Sequence, residues 1–256
     1  MNKLLGKRAL VTAGAQGIGL AITRLLLRAG CDVFVHYHRS RPAADSLLQE
    51  ASTLGRRAGA ANHDLTQPEA CEALVREANE VLGGLDILVN NAGSLVARQS
   101  LLEGTEGYWQ EVMELNVGSM RRVSRAALPA LSIAGRSEGA SIVNLASLAG
   151  RKGGAGGSLA YATAKGAVIT FTRGLAAEVG RDGIRVNALA PGLILGTSFH
   201  QTHTKPEAAS GVIAATPLGR AGTAEDVARA AVFLASEFDG FITAATLDIN
   251  GGVYAA

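Results

Sequence analysis

Short apolar runs alternate with longer segments of helical periodicity along almost the whole chain, and no other feature restricts the fold as much. Runs at residues 8–12, 31–37, 58–63, 85–90, 140–145, 184–189 and 246–249 read as strands. Their apolar character is continuous rather than alternating, as expected of strands buried on both faces. Between them, residues 16–28, 41–54, 68–82, 105–131, 158–179 and 223–236 carry helical patterns. Gly30, Gly55 and Gly83 close helices in the manner of C-caps, and Pro68 opens one at its first turn. Pro129 falls near the end of the long 105–131 segment. Repeated β-α units with short connections predict an α/β protein, a Rossmann-type doubly wound parallel sheet. The 256 residues suffice for one large core, and no composition break, repeat or low-complexity tract divides them. A single dinucleotide-binding catalytic domain over 1–256 is therefore expected. The one long stretch without clear periodicity reads as a substrate lid, at about 193–215.

Charge and cysteine content remove other classes. A net charge of +2, with scattered arginines and no basic run, gives no pull towards nucleic acid or membrane. Cys31 and Cys71 fit no metal-ligand spacing and read as buried, inert thiols. His200 and His203 invite a metal reading, but two histidines without further ligands read as solvated, so no metal is expected. Residues 1–7 are too short and polar for a signal-peptide core, and no apolar run reaches the roughly 18 residues of a membrane span. The expected location is cytoplasmic.

The first strand runs into Thr12-Ala-Gly-Ala-Gln-Gly-Ile-Gly19 and then a helix. Strand, glycine loop and helix in that order make a phosphate site. Gly17 and Gly19 let the backbone approach a pyrophosphate, and the helix N-terminus offers free N–H groups and a positive dipole end. At the end of the second strand, where an NAD site places an acid on the ribose hydroxyls, the chain reads His36-Tyr-His-Arg-Ser40. With no acid there, Arg39 and Ser40 are expected to take a 2′-phosphate, Arg39 by charge-assisted hydrogen bonds. NADP(H) is thus the expected cofactor, with NAD(H) as the alternative.

Tyr161 and Lys165 stand four residues apart in Tyr-Ala-Thr-Ala-Lys, with Ser147 upstream. Positions i and i+4 share a helix face. An ammonium held there would favour the tyrosinate and lower the Tyr161 pKa from about 10 towards working pH. A phenol so tuned can protonate a carbonyl oxygen and take the proton back in reverse, while Ser147 orients the same oxygen.

Taken together, the glycine loop, Asn90-Asn-Ala-Gly93, Asn116, Ser147, Tyr161 with Lys165, and Pro191-Gly192 resemble the short-chain dehydrogenase/reductase family over nearly the whole length. The resemblance implies that Tyr161 is the catalytic acid and base. It implies that Lys165 lowers the phenol pKa and bonds the nicotinamide ribose, and that Ser147 positions the substrate oxygen. Asn116 would hold a water that links Lys165 to solvent. Ala13, Gln16, Gly17, Ile18 and Gly19 would cradle the pyrophosphate. His38, Arg39 and Ser40 would bind at the adenosine phosphate, and Asp64 and Leu65 at the adenine. Asn90, Ala92 and Gly93 would line the adenosine ribose, and Pro191, Gly192 and Ile194 would border the nicotinamide.

The chain departs from the family pattern at several points. Ala13 stands at the usual first glycine of the loop, a change of small cost if the position keeps negative φ. The Ser147 to Tyr161 spacing is one residue longer than common, with the extra residue placed in Gly153-Gly-Ala-Gly-Gly157. The threonine after Pro191-Gly192 is displaced to Thr197, and Ala244 replaces a usual glycine. The His-Tyr-His-Arg-Ser run also looks like the cofactor loop of pteridine reductases, but those enzymes carry aspartate where Ser147 stands. The cofactor preference carries over and the pterin substrate does not.

The reading that follows is an NADP(H)-dependent oxidoreductase interconverting a secondary alcohol and a ketone or aldehyde, 3-oxoacyl reductase-like. The alternative is an NAD(H)-dependent sugar or polyol dehydrogenase. More distant are a lyase or epimerase on the same Tyr and Lys, and a non-catalytic dinucleotide-binding regulator, which would be expected to lose one of them. The expected partners are a small-molecule carbonyl or alcohol and further copies of the chain. Small apolar residues at Ala162, Ala164, Ala167 and Val168, with the weakly polar C-terminal segment, suit a homotetramer.

Overall fold

The computed structural model describes residues 4–236 and 240–255. The seven strands are β1 (Arg8–Val11), β2 (Asp32–Tyr37), β3 (Ala58–Asn62), β4 (Ile87–Asn90), β5 (Ala140–Leu145), β6 (Ile184–Pro191) and β7 (Thr246–Ile249). All pair in parallel, in the order β3-β2-β1-β4-β5-β6-β7. The chain builds outward from β1 through β2 to β3, then returns to lay β4 against the other edge of β1. That reversal opens a crevice beyond the strand ends, where ligands of such sheets bind.

Alternate strand residues feed two separate layers. Ala9, Val11, Val33, Val35, Ile87 and Val89 pack beneath α1 (Gly17–Arg28), α2 (Arg41–Thr53) and α10 (Ala224–Ser236). Leu10, Phe34, Leu88, Ile142 and Val186 face α3 (Pro68–Leu82), α5 (Ser119–Ser137) and α7 (Leu159–Val179). Every position of β5 and β6 is buried, as their continuous apolar runs require. Buried Asn187 and Arg185 of β6 hold the chain that leads to β7. Asn187 Nδ2 donates to the Ile242 carbonyl at 2.9 Å, and Arg185 donates to the Leu234 carbonyl at 2.9 Å. Among the described residues no helix is long and apolar enough to cross a membrane.

Four local features differ from the sequence-based expectation. The 105–131 segment is α4 (Glu106–Met113), a π-helical turn (Glu114–Gly118) and α5, which continues past Pro129 to Ser137. The π turn carries Asn116, and single π turns within α-helices recur at functional sites. A five-residue helix, α6 (Leu148–Lys152), follows β5; Ser147 caps it by accepting from Ala149 N–H at 3.1 Å, and Gly153 ends it at φ +84°. The stretch without periodicity contains α8 (Ser198–His203) and α9 (Pro206–Ala214), too short to show a repeating apolar face. Finally, Ala244 adopts φ +61°, the left-handed conformation that favours glycine.

Candidate active site

The loop between β1 and α1 is built for an anion. Helix α1 begins with no side-chain cap and no acid in its first turn, so its leading N–H groups and positive dipole end are open to the crevice. Gly19 permits the close return of this helix on the loop, because a Cβ there would stand 2.2 Å from the Ala13 carbonyl oxygen. Ala13 does not keep negative φ. It sits at +49°, at a cost of about 1–2 kcal/mol for a residue with a Cβ.

His36 holds that strained residue. Its Nδ1 accepts the Ala13 N–H at 2.9 Å, its carbonyl accepts the Gly14 N–H at 2.8 Å, and its Nε2 donates to the His63 carbonyl at 2.9 Å. This pattern requires the neutral ring with its proton on Nε2. Burial is the main cause that pushes the pKa down to about 4. Sequence reasoning read His36 only as part of a strand end. The available signal was a polar ring in an apolar strand, directly beside the glycine loop in the sheet. Thr12 is a second missed anchor: its hydroxyl accepts from Asn91 N–H at 2.9 Å and Ala92 N–H at 3.0 Å, joining the ends of β1 and β4.

The adenosine end is more open. His38 and Arg39 are exposed, and among the described residues no carboxylate pairs with Arg39. Ser40 Oγ donates to Gln16 Oε1 at 3.2 Å, tying this loop to the phosphate loop. The Asp64 carboxylate accepts from the Thr66 hydroxyl at 2.7 Å and its N–H at 3.0 Å. The Leu65 side chain is buried in the core. Asn90 also turns inward, donating to Asn144 Oδ1 at 2.8 Å and Ser124 Oγ at 2.9 Å. Asn91 and Gly93, rather than Asn90, border the crevice.

Ser147, Tyr161 and Lys165 meet where β5 and β6 end. They share one cleft with Ala13, Gln16, Gly17, Ile18, Pro191, Gly192 and Ile194. Lys165 is buried and its Nζ donates to the Leu145 carbonyl at 2.7 Å; the same Nζ lies 5.7 Å from the Tyr161 ring centroid. Burial pushes the Lys165 pKa down to about 8. Burial also pushes Tyr161 up to about 12, against the opposing hydrogen bond of Ser147. The direction for Tyr161 is opposite to the expected lowering by Lys165. The ammonium is engaged with a carbonyl to one side of the ring, and loss of water around the phenol dominates.

Asn116 completes the group. Its Nδ2 donates to the Ser94 carbonyl at 2.8 Å and the Val112 carbonyl at 2.9 Å, while its buried Oδ1 has no partner. A Cβ on Gly93 would stand 2.5 Å from that oxygen and 3.0 Å from Lys165 Nζ, so only glycine leaves this space free. A nicotinamide dinucleotide suits these residues. The uncapped helix would hold its pyrophosphate, Gly93 would leave room for its ribose, and Lys165 and Asn116 would present polar groups there.

Helix α8 packs against the phenol. The Phe199 ring lies 5.7 Å from that of Tyr161, with His200 at 5.1 Å and His203 at 5.2 Å from Phe199. His200 Nδ1 is paired with Thr204 Oγ1 at 2.8 Å. Among the described residues no group of three or more His, Cys, Asp or Glu could hold a metal ion.

Comparison with known proteins agrees with this geometry. The family profile described as enoyl-(acyl carrier protein) reductase matches residues 12–254. The 3-oxoacyl-[acyl-carrier-protein] reductase FabG of Chlamydia pneumoniae is 38% identical over 98% of each chain, and that of Vibrio cholerae 37% over 98% of each. Among solved structures, a short-chain dehydrogenase from Burkholderia cenocepacia in complex with NADP has a TM-score of 0.90 and 34% identity, covering 99% of this chain and 100% of that one. The NADH-dependent reductase A1-R′ responsible for alginate metabolism has a TM-score of 0.91 and 30% identity over the whole of both chains. The chain belongs to the short-chain dehydrogenase/reductase family, and it is an oxidoreductase of that family.

The His36 clamp makes the fold sensitive to acid. Unfolded, His36 takes a proton near pH 6.5, whereas folded it resists protonation until about 4. The unfolded chain therefore binds more protons between those values, and stability falls as pH drops through the window. At about 1.4 kcal/mol per pKa unit, the full loss is about 3 kcal/mol. Urea midpoints compared at pH 7 and 5 should show about 2 kcal/mol of this loss, and His36→Gln should have a clearly shallower dependence.

Proposed function

We propose that the chain is an NADP(H)-dependent oxidoreductase that interconverts a secondary alcohol and a ketone or aldehyde, in the manner of 3-oxoacyl reductases. The observation that carries this reading is the convergence of Ser147, Tyr161 and buried Lys165 beside an uncapped helix N-terminus in one cleft. Similarity to two 3-oxoacyl-[acyl-carrier-protein] reductases supports the substrate class, and a relative in complex with NADP supports the cofactor.

The dinucleotide, when bound, supplies or accepts hydride. The chain supplies the proton chemistry. Ser147 donates a hydrogen bond to the substrate oxygen and fixes it beside the phenol. Tyr161, with a pKa near 12, keeps its proton at neutral pH and hands it to an oxygen that gains negative charge. Lys165 holds positive charge under the phenol, and Asn116 Oδ1 offers an acceptor for a proton path leading away from it. Phe199 packs against the phenol on one side of the cleft.

Removing the phenol hydroxyl tests the role of Tyr161. In Tyr161→Phe, turnover should fall by about 10²–10⁴-fold, the usual worth of general acid catalysis, while NADPH still binds. In the parent, carbonyl reduction should decline as pH rises through about 8, where Lys165 loses its charge. Alcohol oxidation should gain nothing over the same range, because loss of the ammonium disfavours the phenolate that it needs. Near-normal turnover in the Phe variant would remove Tyr161 from the mechanism.

Cofactor choice rests on Arg39. A hydrogen bond to a charged group is worth about 1.5–3 kcal/mol, and solvent exposure argues for the lower end, roughly tenfold in affinity. The parent should favour NADPH over NADH in kcat/KM. Arg39→Ala should lose most of that preference with little change for NADH. A parent that prefers NADH, as the alginate-metabolism reductase is described to do, would transfer cofactor choice to another group.

The chain is further read as a homotetramer. Strand β7 is a sheet edge, and Phe241, Ile242 and Leu247 leave apolar surface exposed beside it. Light scattering at micromolar concentration should give four times the 26.2 kDa chain mass; a monomer mass would refute the assembly.

A further inference from the structure

The substrate side of the cleft carries a cation with no acid beside it. Arg98 lies in the segment that joins β4 to α4. Upstream, Val96 adopts φ +65° within a turn closed by Ala97 N–H on the Leu95 carbonyl at 2.8 Å. A β-branched residue is strained there, so other contacts must hold the turn. Asn116 Nδ2 donates to the Ser94 carbonyl at 2.8 Å, Val96 N–H to Ser94 Oγ at 3.1 Å, and the Tyr108 hydroxyl to the Ala97 carbonyl at 2.9 Å. The same catalytic-side asparagine thus helps to fix the segment that presents Arg98.

The Arg98 guanidinium is exposed and bridges two segments beside the cleft. Its Nε donates to the His203 carbonyl on the lid at 3.1 Å, and its Nη1 to the Gly156 carbonyl in the glycine run at 2.9 Å. Both acceptors are neutral, and Nη2 is bonded to nothing among the described residues. No carboxylate among them lies within ion-pair distance of Arg98. The nearest acids in sequence are engaged elsewhere, Glu103 with Ser100 at 2.7 Å and Glu106 with Gln110 at 3.1 Å. His200 and His203 stand on the same side, and Lys205 follows them on the lid. After burial, the charge of Arg98 is among the causes that push both imidazole pKa values down, and no acid offsets it there. A charge so placed, with a free donor and no counter-ion, is complementary to an anion.

We propose that Arg98, flanked by His200 and His203, forms an anion-binding subsite, and that the substrate is a carbonyl compound carrying a carboxylate or phosphate remote from its reacting carbon. The remoteness follows from the geometry. The imidazoles contact the Phe199 ring at 5.1–5.2 Å, that ring lies 5.7 Å from Tyr161, and among the described residues no ring contact joins either imidazole to Tyr161 directly. The acidic group therefore lies several bonds from the oxygen that Tyr161 protonates. Arg98 is a specificity residue in this scheme and does not touch the reacting atoms. The inference rests on the carbonyl–alcohol reading above, but its test can fail separately.

The test compares parent, Arg98→Gln and Arg98→Lys as full chains. The probes are 5-oxohexanoate, its methyl ester, and a ketone of similar length ending in a phosphate monoester. Calorimetric binding decides the subsite. The parent should bind an acidic probe at least tenfold more tightly than the ester, the preference should shrink with added salt, and Arg98→Lys should keep part of it. Arg98→Gln should cut the ratio of acid to ester affinity about tenfold. Whether the carboxylate or the phosphate shows the larger ratio identifies the group. Equal binding of acids and ester in the parent, or a ratio unchanged in Arg98→Gln, would overturn the subsite and leave Arg98 as a strap between lid and glycine run. Turnover of the ester, and its loss in Tyr161→Phe, decides the reaction reading independently of those ratios.

Discussion

The Lys165 ammonium is buried, and a charge taken out of water costs several kcal/mol unless polar partners replace the solvent. Here the replacement begins with the Leu145 carbonyl at 2.7 Å, at the C-terminal end of β5. Strand β5 has no side-chain freedom to spare at this point, because all its residues are packed on both faces. The register of α7 against β5 therefore fixes where Lys165 can reach, and Tyr161, one turn earlier on α7, follows from the same placement. Ser147 is positioned from the other side, as the cap of α6 immediately beyond β5. The grouping of Ser147, Tyr161 and Lys165 is thus an outcome of how one strand end, one helix and one cap meet. The π turn then brings Asn116 Oδ1 to the space over Gly93 that Lys165 Nζ also faces.

The nucleotide half solves a different problem. Ala13 and Ala244 both hold left-handed backbone without being glycine. Each carries a methyl group in a conformation that usually excludes one. At Ala13 the compensation is visible. His36 accepts its N–H, Asn91 Nδ2 donates to its carbonyl at 3.1 Å, and Thr12 ties the adjoining strand ends together. At Ala244 the N–H donates to the Val186 carbonyl at 2.8 Å, and the following Ala245 N–H to Asn187 Oδ1 at 3.0 Å. Buried polar side chains within apolar strands thus fix backbone that glycine would otherwise leave free, which accounts for His36, Asn187 and Arg185 in a core that is mostly Val, Ile, Leu and Ala.

Much of this was legible in the sequence where a local rule dictates structure. Pro68 and Gly83 bracket α3, and continuous apolar runs mark β5 and β6. The glycine loop, Ser147, Tyr161 and Lys165 converge as their spacing requires. What was not legible depends on three-dimensional context. The break at Glu114–Gly118 leaves the helical periodicity almost unchanged, so a π turn reads as helix. Helix α6 had both a Ser cap and a closing glycine, but at five residues it gave no period. Asn90 turns inward to Asn144 and Ser124, a contact that no local rule dictates. A sequence shows which charge stands near Tyr161 but not how much water the phenol loses.

The two halves of the cleft also differ in how they are held, and that difference bears on specificity. On the nucleotide side, buried side chains and paired strand ends fix the backbone, so one shape is specified. On the substrate side, the walls are the Gly153–Gly157 run, the short helices α8 and α9, and the strained turn at Val96. The glycine run and the two short helices bury few apolar side chains, and such segments open locally at lower free-energy cost than the sheet does. Arg98 joins all three, from the turn to the Gly156 carbonyl and to the lid at His203. An acidic substrate that draws the guanidinium inward would compete with both carbonyls for the same donors. Substrate recognition and lid position would then be linked through one side chain, while the proton-transfer group, anchored to β5, stays where it is.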